Sequence, residues 1–149
     1  MLVIEKLTEA SEQTLDDINR LLPQLSKSVS DHASSLKSLQ EIIHNTNAAL
    51  IVARDDGHVI GIAALYIITK LTKRSAFVED VVVDSAYRGQ GLGEKIMREL
   101  IDRARAAGVN SLSLTSRAER VAGNKLYQKL GFEQKETNVY TMKLSAPSA

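Results

Sequence analysis

Apolar side chains recur along this chain at intervals of two in some segments and of three and four in others, which predicts strands alternating with amphipathic helices. Strands are predicted at residues 3–7, 49–53, 59–71, 74–83, 111–115 and 139–144. Helices are predicted at 14–22, about 36–43, 92–107, and from 116 to 130, where Ser116 and Glu119 have capping-box spacing. Residues 26–35 are polar and rich in serine, and we expect a loop there.

The connections between these segments predict the fold class. The run Asp55-Asp56-Gly57-His58 separates two strands and is a hairpin signal, and residues 70–73 are short enough for a second hairpin. Further along, a long helix separates two strands, as in a β-α-β crossover. We therefore expect a mixed α/β (α+β) fold whose central sheet is mostly antiparallel and contains a β-α-β unit.

Composition narrows the class of protein. The 149 residues suit one domain, which we place at 1–145, followed by a flexible tail at 146–149. A net charge of +1 argues against a general nucleic-acid-binding protein. The chain has no cysteine, which excludes disulfides, thiolate metal sites and a cysteine nucleophile.

Location and metal binding can also be predicted. The first seven residues do not resemble a signal peptide, and no apolar run is long enough to span a membrane. We therefore expect a cytoplasmic protein with no membrane partner. His32, His44 and His58 share no ligand spacing and the carboxylates are not clustered, so we expect no metal.

The clearest chemical signal lies between the strand at 74–83 and the helix at 92–107, in the run Arg88-Gly89-Gln90-Gly91-Leu92-Gly93. Glycines let main-chain N–H groups converge on an anion, and a helix N-terminus adds partial positive charge, so this turn predicts a phosphate site. A P-loop is excluded because Glu94 follows the last glycine where a lysine is needed. The dinucleotide fingerprint is excluded because the glycines are spaced two apart.

The turn instead fits the pattern Arg-x-x-Gly-x-Gly, and three further matches accompany it. Glu79-Asp80 lies on the preceding strand, Asn124-x-x-Tyr127 lies on the last helix, and Gly131-Phe132 ends that helix. With these matches the chain, from its first strand to Leu144, resembles the GNAT (Gcn5-related N-acetyltransferase) superfamily. The resemblance implies acetyl-CoA as co-substrate, with its pyrophosphate on the turn and its thioester in the gap between two splayed strands. It assigns coenzyme binding to Val81, Val82, Val83, Arg88, Gly89, Gln90, Gly91, Leu92, Gly93 and Asn124.

The residue types fit acetyl transfer to an amine. An alkylammonium with a pKa of about 10 must lose a proton before it attacks a thioester, and a carboxylate can accept that proton, directly or through water. Because neighbouring strand residues alternate between faces, we expect only one of Glu79 and Asp80 in the site, and we favour Glu79 as the base. Tyr127 matches the family tyrosine that donates a proton to the coenzyme A sulfur. Without a cysteine, direct transfer is favoured over an acyl-enzyme.

The acceptor is predicted only by class. In GNAT proteins it is bound by the connection after the first helix and by the turn before the last strand, which here are residues 25–33 and 133–138. Both are polar, so we expect a small polar primary amine such as an amino acid, an amino sugar or a polyamine. The pocket candidates are His32, Asp80, Asn138 and Tyr140. A homodimer through the late strands is suggested by family analogy alone.

Other interpretations stay open at this stage. An enzyme of this kind could acetylate a protein N-terminus or lysine, and a non-catalytic relative could bind acyl-CoA as a sensor. The glycines of the turn could serve only its geometry, Glu79 and Asp80 could be solvent-facing charges, and Tyr127 could be a core residue. A sensor needs the phosphate turn but neither Glu79 nor Tyr127, so these two residues together favour an enzyme.

Overall fold

The strands form one sheet whose spatial order follows the chain. This computed structural model describes residues 1–25 and 33–145. Within them the sheet contains β1 (Leu2–Lys6), β2 (Ala48–Asp55), β3 (His58–Thr69), β4 (Arg74–Val83) and β5 (Ser111–Ser113). Neighbouring strands pair antiparallel except for β4 and β5, which are parallel. The predicted mixed α/β fold with a mostly antiparallel sheet is confirmed.

Helices cover both faces of this sheet. α1 (Glu12–Leu21) and α2 (Leu36–His44) pack on one face, and α3 (Leu92–Ala106) and α4 (Val121–Lys129) pack on the other. Short 3₁₀ helices, Leu22–Gln24 and Ser85–Tyr87, follow α1 and β4. The hydroxyls of Ser11 and Ser35 cap α1 and α2, each accepting the N–H of the residue three positions on. All four helices therefore occur close to where apolar periodicity predicts them.

α3 is held close to the sheet by a glycine on β3. Ile96, Met97 and Leu100 are completely buried in the core beneath this helix. A Cβ atom at Gly61 would lie 2.8 Å from Cδ1 of Ile96 and 3.5 Å from the carbonyl oxygen of Val82. Because 2.8 Å is tighter than real Cβ contacts, a side chain at position 61 would push the tip of Ile96 aside. Glycine at this position therefore lets Ile96 of α3 pack directly on β3.

β4 is irregular in the middle and is paired differently along its two sides. Its register with β3 changes between Ile62 and Ala64, so Asp80 and Val81 form a bulge opposite a single residue of β3. Asp80 has a φ of 55°, in the left-handed region that non-glycine residues rarely adopt. On its other side β4 pairs with β5 only from Ser75 to Phe77. The strands part beyond Phe77, which is the splayed pair that the family resemblance implies.

Two boundaries predicted from the sequence are wrong. The last helix begins at Val121 rather than at Ser116, because residues 117–120 form a separate turn closed by a hydrogen bond from Arg120 N to Arg117 O (3.1 Å). The Ser116 hydroxyl is buried without a hydrogen-bond partner among the described residues, so it does not cap α4. In addition, β5 ends at Ser113 instead of reaching Thr115.

The predicted strand at 139–144 is also wrong for the chain taken alone. Residues 133–145 have no regular secondary structure and are exposed, and Tyr140 retains 88% of its accessible surface. A strand needs a neighbour to satisfy its backbone N–H and C=O groups, and no described residue of the chain provides one here. Most of the predicted loop at 26–35 and the predicted tail at 146–149 lie outside the described residues.

Candidate active site

An open cleft of about 690 Å³ lies where β4, the glycine turn and α4 meet. Its walls include residues 81–83 of β4, the turn from Arg88 to Glu94 except Gln90, and the inward side of α4. Gln24 and Leu25 contribute from the segment after α1. Of the predicted coenzyme-binding residues, all but Gln90 and Asn124 line this cleft. The structure therefore collects in one place residues that are up to about a hundred positions apart in the chain.

The glycine turn has the backbone geometry that an anion requires. Gly89 and Gly91 have φ values of 80° and 76°, and no atom lies within 4 Å of where their Cβ atoms would stand. The six N–H groups of residues 89–94 donate no hydrogen bond to any described residue, since the first helical bond runs from Lys95 N to Gly91 O. Unsatisfied N–H groups at a helix N-terminus are a ready site for a phosphate or pyrophosphate.

The charges around the cleft are predominantly positive. Among the described residues, four basic side chains line it, and the single lining carboxylate belongs to Glu94. That carboxylate is already paired, 3.1 Å from Lys129 Nζ and 3.0 Å from Arg98 Nη2. Hydrogen bonds from these two cations hold the pKa of Glu94 below its ordinary value, so it stays ionised and neutralised. The remaining lining cations are Arg88, Arg120 and Lys125. This excess of positive charge fits the phosphates of a coenzyme.

Tyr127 projects from α4 into the wall of the cleft. Tyr127 is 7% exposed, and its ring packs edge-on against that of Phe132, with ring centroids 6.0 Å apart. A Cβ atom at Gly123 would lie 3.9 Å from the Tyr127 hydroxyl, so the hydroxyl sits beside the first turn of α4. Burial raises the pKa of the phenol above its ordinary value, and the positive charge of Arg120 opposes that rise. The phenol of this cleft residue is therefore protonated at neutral pH.

Arg120 also lines the cleft, although it is not among the predicted site residues. It stands just before α4, is half-buried, and its Nη2 donates to the carbonyl oxygen of Val81 at 3.3 Å. This contact crosses the gap that opens where β4 and β5 part. No local pattern reveals it, because Val81 and Arg120 are 39 residues apart. The one available signal was the position of Arg120 at the start of the helix that carries Tyr127.

Asn124 makes a local contact that the sequence does not predict. Its side-chain Nδ2 donates to the carbonyl oxygen of Arg117 at 2.9 Å, which ties the turn before α4 to the helix. Its side chain does not line the cleft. A contact with the pantetheine arm stays a prediction, whereas the hydrogen bond to Arg117 shows that Asn124 helps to shape the start of α4.

The carboxylates of Glu79 and Asp80 both act electrostatically on Tyr66 of β3. Burial raises the pKa of the Tyr66 phenol, and the negative charges of Asp80 and Glu79 raise it further. The bulge and the left-handed backbone at Asp80 interrupt the regular alternation of strand side chains on which the choice between these two residues is based. Desolvation by the surrounding protein raises the pKa of Asp80 although the residue keeps access to solvent.

Two of the remaining substrate candidates lie away from the cleft, and the third is not among the described residues. His32 lies outside the described residues. Asn138 and Tyr140 lie on the exposed segment 133–145 and do not contribute to the cleft. Elsewhere in residues 1–25 and 33–145, no group of three or more His, Asp or Glu side chains is arranged to hold a metal. Nor is any helix in this part of the chain both long and apolar enough to cross a membrane.

Comparison with known proteins identifies the family. Residues 14–132 match the model of the acetyltransferase (GNAT) family. The chain belongs to this family. As a GNAT protein it is an acyltransferase that depends on acetyl-CoA, and the free N–H groups, left-handed glycines and basic lining of its cleft fit that coenzyme.

Relatives of this GNAT protein act on different acceptors. It is 32% identical over 136 residues to glucosamine 6-phosphate N-acetyltransferase 1 of Oryza sativa subsp. japonica, covering 84% of this chain and 81% of the relative. It is 36% identical over 74 residues, half of each chain, to the ribosomal protein bS18-alanine N-acetyltransferase of Escherichia coli K12. The crystal structure of an acetyltransferase from Trypanosoma brucei superposes with a TM-score of 0.77 at 26% identity, covering 96% of this chain and all of that one.

Proposed function

We propose that this GNAT protein transfers an acetyl group directly from acetyl-CoA to the primary amine of a small polar molecule. The observation that carries the proposal is the arrangement of β4, which leads from a pair of carboxylates at 79–80 to the glycine turn at 88–93 within one continuous segment. Acetyl-CoA supplies the activated thioester. The residues of the chain then have to bind the phosphates, accept the amine proton and stabilise the departing sulfur.

For the donor side, the proposal assigns the pyrophosphate to the free N–H groups of residues 89–94 and to Arg88. Arg88 is exposed, and its Nε donates to the carbonyl oxygen of Val83 at 3.3 Å, which keeps the guanidinium beside the turn. The main-chain groups of residues 81–83 are assigned to the pantetheine arm, because β5 does not pair with this part of β4.

For the acceptor side, the proposal assigns the ammonium to Glu79 and Asp80. Two carboxylates whose negative charges both act on the Tyr66 phenol favour a cation over a neutral or anionic group. We assign the base to Glu79, acting directly or through water, and the positioning of the amine to Asp80. The raised pKa of Asp80 favours it as the alternative base, since a carboxylate with a raised pKa accepts an amine proton more readily.

For the leaving group, the proposal assigns hydrogen-bond and proton donation to Tyr127, aided by the charge of Arg120. The transfer forms an N–C bond and breaks a C–S bond, and the electron pair leaves with sulfur. The phenol of Tyr127 donates its proton toward that sulfur. The fixed positive charge of Arg120 stabilises both the thiolate and the phenolate, since arginine stays protonated at any working pH.

The proposal is tested by following thiol release from acetyl-CoA against a panel of acceptors. The panel contains glucosamine 6-phosphate, free amino acids, polyamines and a peptide with an N-terminal alanine. We expect turnover with at least one small amine, little with the peptide, and a loss of turnover in Glu79→Gln. Preferential turnover of the peptide would replace the small-molecule assignment with a protein N-terminal one. Coenzyme binding with no turnover of any amine would contradict the proposed reaction.

A further inference from the structure

One aromatic side chain of β4 belongs to neither core of the sheet. Phe77 is half-buried, yet it is part of neither apolar cluster of the described residues, the one beneath α3 and α4 or the one beneath α1 and α2. It is also the last residue of β4 that pairs with β5, so it stands where the two strands part. Packing among the described residues therefore does not account for a large apolar ring at this position.

The register of β3 and β4 places Phe77 between a second aromatic ring and a carboxylate. Phe77 is opposite Tyr66, and Glu79 is opposite Ala64. Directly opposite residues of an antiparallel pair share a face, with Cβ atoms about 5 Å apart and diagonal neighbours about 7–8 Å apart. Tyr66 packs against the core beneath α1 and α2, so Phe77 and Glu79 lie on that side of the sheet.

A cation reaches the Phe77 ring from the opposite end of the strand. Lys70 follows β3, and its Nζ lies over this ring at 6.0 Å from the centroid. Lys70 is exposed and forms no ion pair with another described residue. Because Glu79 is about 7 Å further along β4 than Phe77, its carboxylate is on the order of 10 Å from the Lys70 ammonium. We call Tyr66, Lys70, Phe77 and Glu79 the 66–79 surface.

We propose that the 66–79 surface binds the acceptor, and that this acceptor is a primary amine joined by an apolar spacer to an anionic group. The surface is negative at Glu79, apolar at its two rings and positive at Lys70, so it complements such a molecule from end to end. The spacer packs on Phe77 and Tyr66, and the anionic group pairs with Lys70. This inference rests on the proposed function, because it takes Glu79 as the group that receives the ammonium.

The same arrangement disfavours three other kinds of amine. A diamine or polyamine would bring a second ammonium toward Lys70, and like charges repel. A simple alkylamine would leave Lys70 without a partner. A peptide or a sugar would place polar groups on the two rings, where these groups lose water without gaining hydrogen bonds. Discrimination therefore comes from both attraction and repulsion, and it predicts an order of acceptors.

The first test measures thiol release from acetyl-CoA with acceptors that share a five-carbon chain and differ at its far end. We expect kcat/KM to be highest for δ-aminopentanoate, about tenfold lower for n-pentylamine, and lowest for pentamethylenediamine. Glycylglycine, which replaces two methylenes of the δ-aminopentanoate spacer by a peptide group, should also be a poorer acceptor. Equal values for all four would leave the acetyl transfer standing and overturn the inference about the surface, as would a preference for glycylglycine.

Lys70→Glu tests the positive end of the surface by reversing its charge. We expect this variant to prefer pentamethylenediamine to δ-aminopentanoate, the opposite of the natural order. Arg105→Glu is the matched control, because it changes the net charge equally at an exposed residue in the last turn of α3, on the other side of the sheet. An unchanged order in Lys70→Glu, or the same reversal in Arg105→Glu, would refute a specific role for Lys70.

Phe77→Thr tests the apolar middle of the surface. Threonine keeps the preference for a strand and removes the ring, so the advantage of δ-aminopentanoate over glycylglycine should shrink, whereas Phe77→Leu should retain most of it. Because Phe77 is in neither core, the Tm of both variants should stay close to that of the natural chain. An undiminished advantage in a folded Phe77→Thr variant would exclude contact between the spacer and this ring.

Binding is measured separately, so that failure of the surface and failure of the reaction can be told apart. δ-Aminopentanoate is titrated by calorimetry into the natural protein and into Lys70→Glu, each in the presence of coenzyme A. Binding that is weakened about tenfold in Lys70→Glu would support the surface even if no amine were turned over, and the proposed reaction alone would then fail. Absence of binding, or equal binding by both proteins, would overturn the inference.

Discussion

The two sides of β4 behave differently, and the difference explains how one strand can be both core and active-site wall. Along the side toward β3, pairing runs from Arg74 to Val83 and is interrupted only by the bulge. Along the side toward β5, pairing stops after Phe77. The side toward β3 gives the strand its stability, because nearly all of the backbone hydrogen-bonding groups that face β3 are paired. The second side leaves groups of residues 78–83 available, and these residues lead into the cleft.

This contrast predicts that stability and activity can be changed separately. Buried residues such as Ala76 and Val78 hold the sheet, so their replacement should unfold the protein before it affects chemistry. Residues that meet in the gap, such as Tyr127 and Arg120, should affect turnover with little loss of stability. The following variants examine the contrast, beginning with the largest expected effect.

Tyr127→Phe is the most direct test of the side of β4 where the strand is not paired with β5. The ring stays in place against Phe132 and only the hydroxyl is lost, so we expect kcat to fall by about 100-fold, the usual scale for proton donation by a positioned side chain. The measurements are steady-state kinetics and coenzyme affinity by calorimetry. Unchanged kcat would remove Tyr127 from the mechanism, and a large loss of coenzyme affinity would indicate a role in binding instead.

Arg120→Gln should have the next largest effect. It removes a positive charge from the gap while keeping a side chain that can donate to Val81 O, and we expect kcat to fall by about tenfold, which corresponds to about 1.4 kcal/mol. Arg120→Lys should retain more activity. Arg105→Gln is the control, since Arg105 is an exposed residue in the last turn of α3. If Arg105→Gln and Arg120→Gln lowered kcat equally, a specific role for the charge in the gap would be refuted.

Gly91→Ala examines the turn that continues from β4. With a φ of 76° at this position, an alanine is strained by about 1–2 kcal/mol, and the N–H groups around it shift. We expect KM for acetyl-CoA to rise by about tenfold with kcat little changed. Gly108→Ala is a matched control, because Gly108 has a φ of 75°, equally open surroundings and a position at the far end of α3. An equal change of KM in both variants would argue that strain, not the phosphate site, is responsible.

Asp80→Asn should produce the smallest effect, and on stability it should be favourable. A carboxyl group whose pKa is raised by folding destabilises the folded protein at pH values above that pKa, and this cost is absent below the unfolded value. Asparagine removes the charge and still tolerates the left-handed backbone. At pH 7 we expect the Tm to rise by no more than about 2 °C, because solvent access screens the charge.

The effect of Asp80→Asn on the Tm should also depend on pH, which thermal unfolding at several pH values measures. The difference in Tm between Asp80→Asn and the natural chain should disappear on acidification, where Asp80 is protonated in both folded and unfolded states. A difference that stays constant from pH 7 down to about pH 3 would show that the carboxyl pKa is not the cause. A fall in Tm at neutral pH would show that the charge is stabilising where it stands.

The parts of this fold that sequence alone predicts are those in which local pattern and tertiary packing agree. α3 has a continuous apolar side from Leu92 to Ala104 and a glycine after its end, so its bounds follow from periodicity. The hairpin after β2 follows from Asp56 and Gly57, whose φ values of 50° and 84° match the turn that its residues favour. The glycine turn is likewise recognisable, since its function depends on backbone conformation that glycine permits.

The parts that sequence does not predict depend on contacts distant in the chain. The spacing of Ser116 and Glu119 is compatible with either a helix start or a turn. In the structure a turn forms, closed by the hydrogen bond from Arg120 N to Arg117 O. The alternation of Glu79 and Asp80 fails because the bulge depends on pairing with β3. Residues 139–144 carry the pattern of a strand, but pattern does not specify where a partner comes from. The hydrogen bond from Arg120 to Val81 O is likewise not predicted, because it joins residues that are distant in the sequence.

Gly61 has a consequence for how such proteins diverge. It lies on β3, next to the strand that lines the cleft, and its missing Cβ would stand 2.8 Å from Ile96 Cδ1 and 3.5 Å from Cγ2 of Val83, a residue of the cleft wall. A single methyl group added here would push the tip of Ile96 aside and crowd Val83, so it would reach the cleft only through these packed side chains. Donor preference in a lineage could therefore drift through a residue that no inspection of coenzyme contacts would select. Engineering efforts on this scaffold would do well to vary position 61 alongside the turn itself.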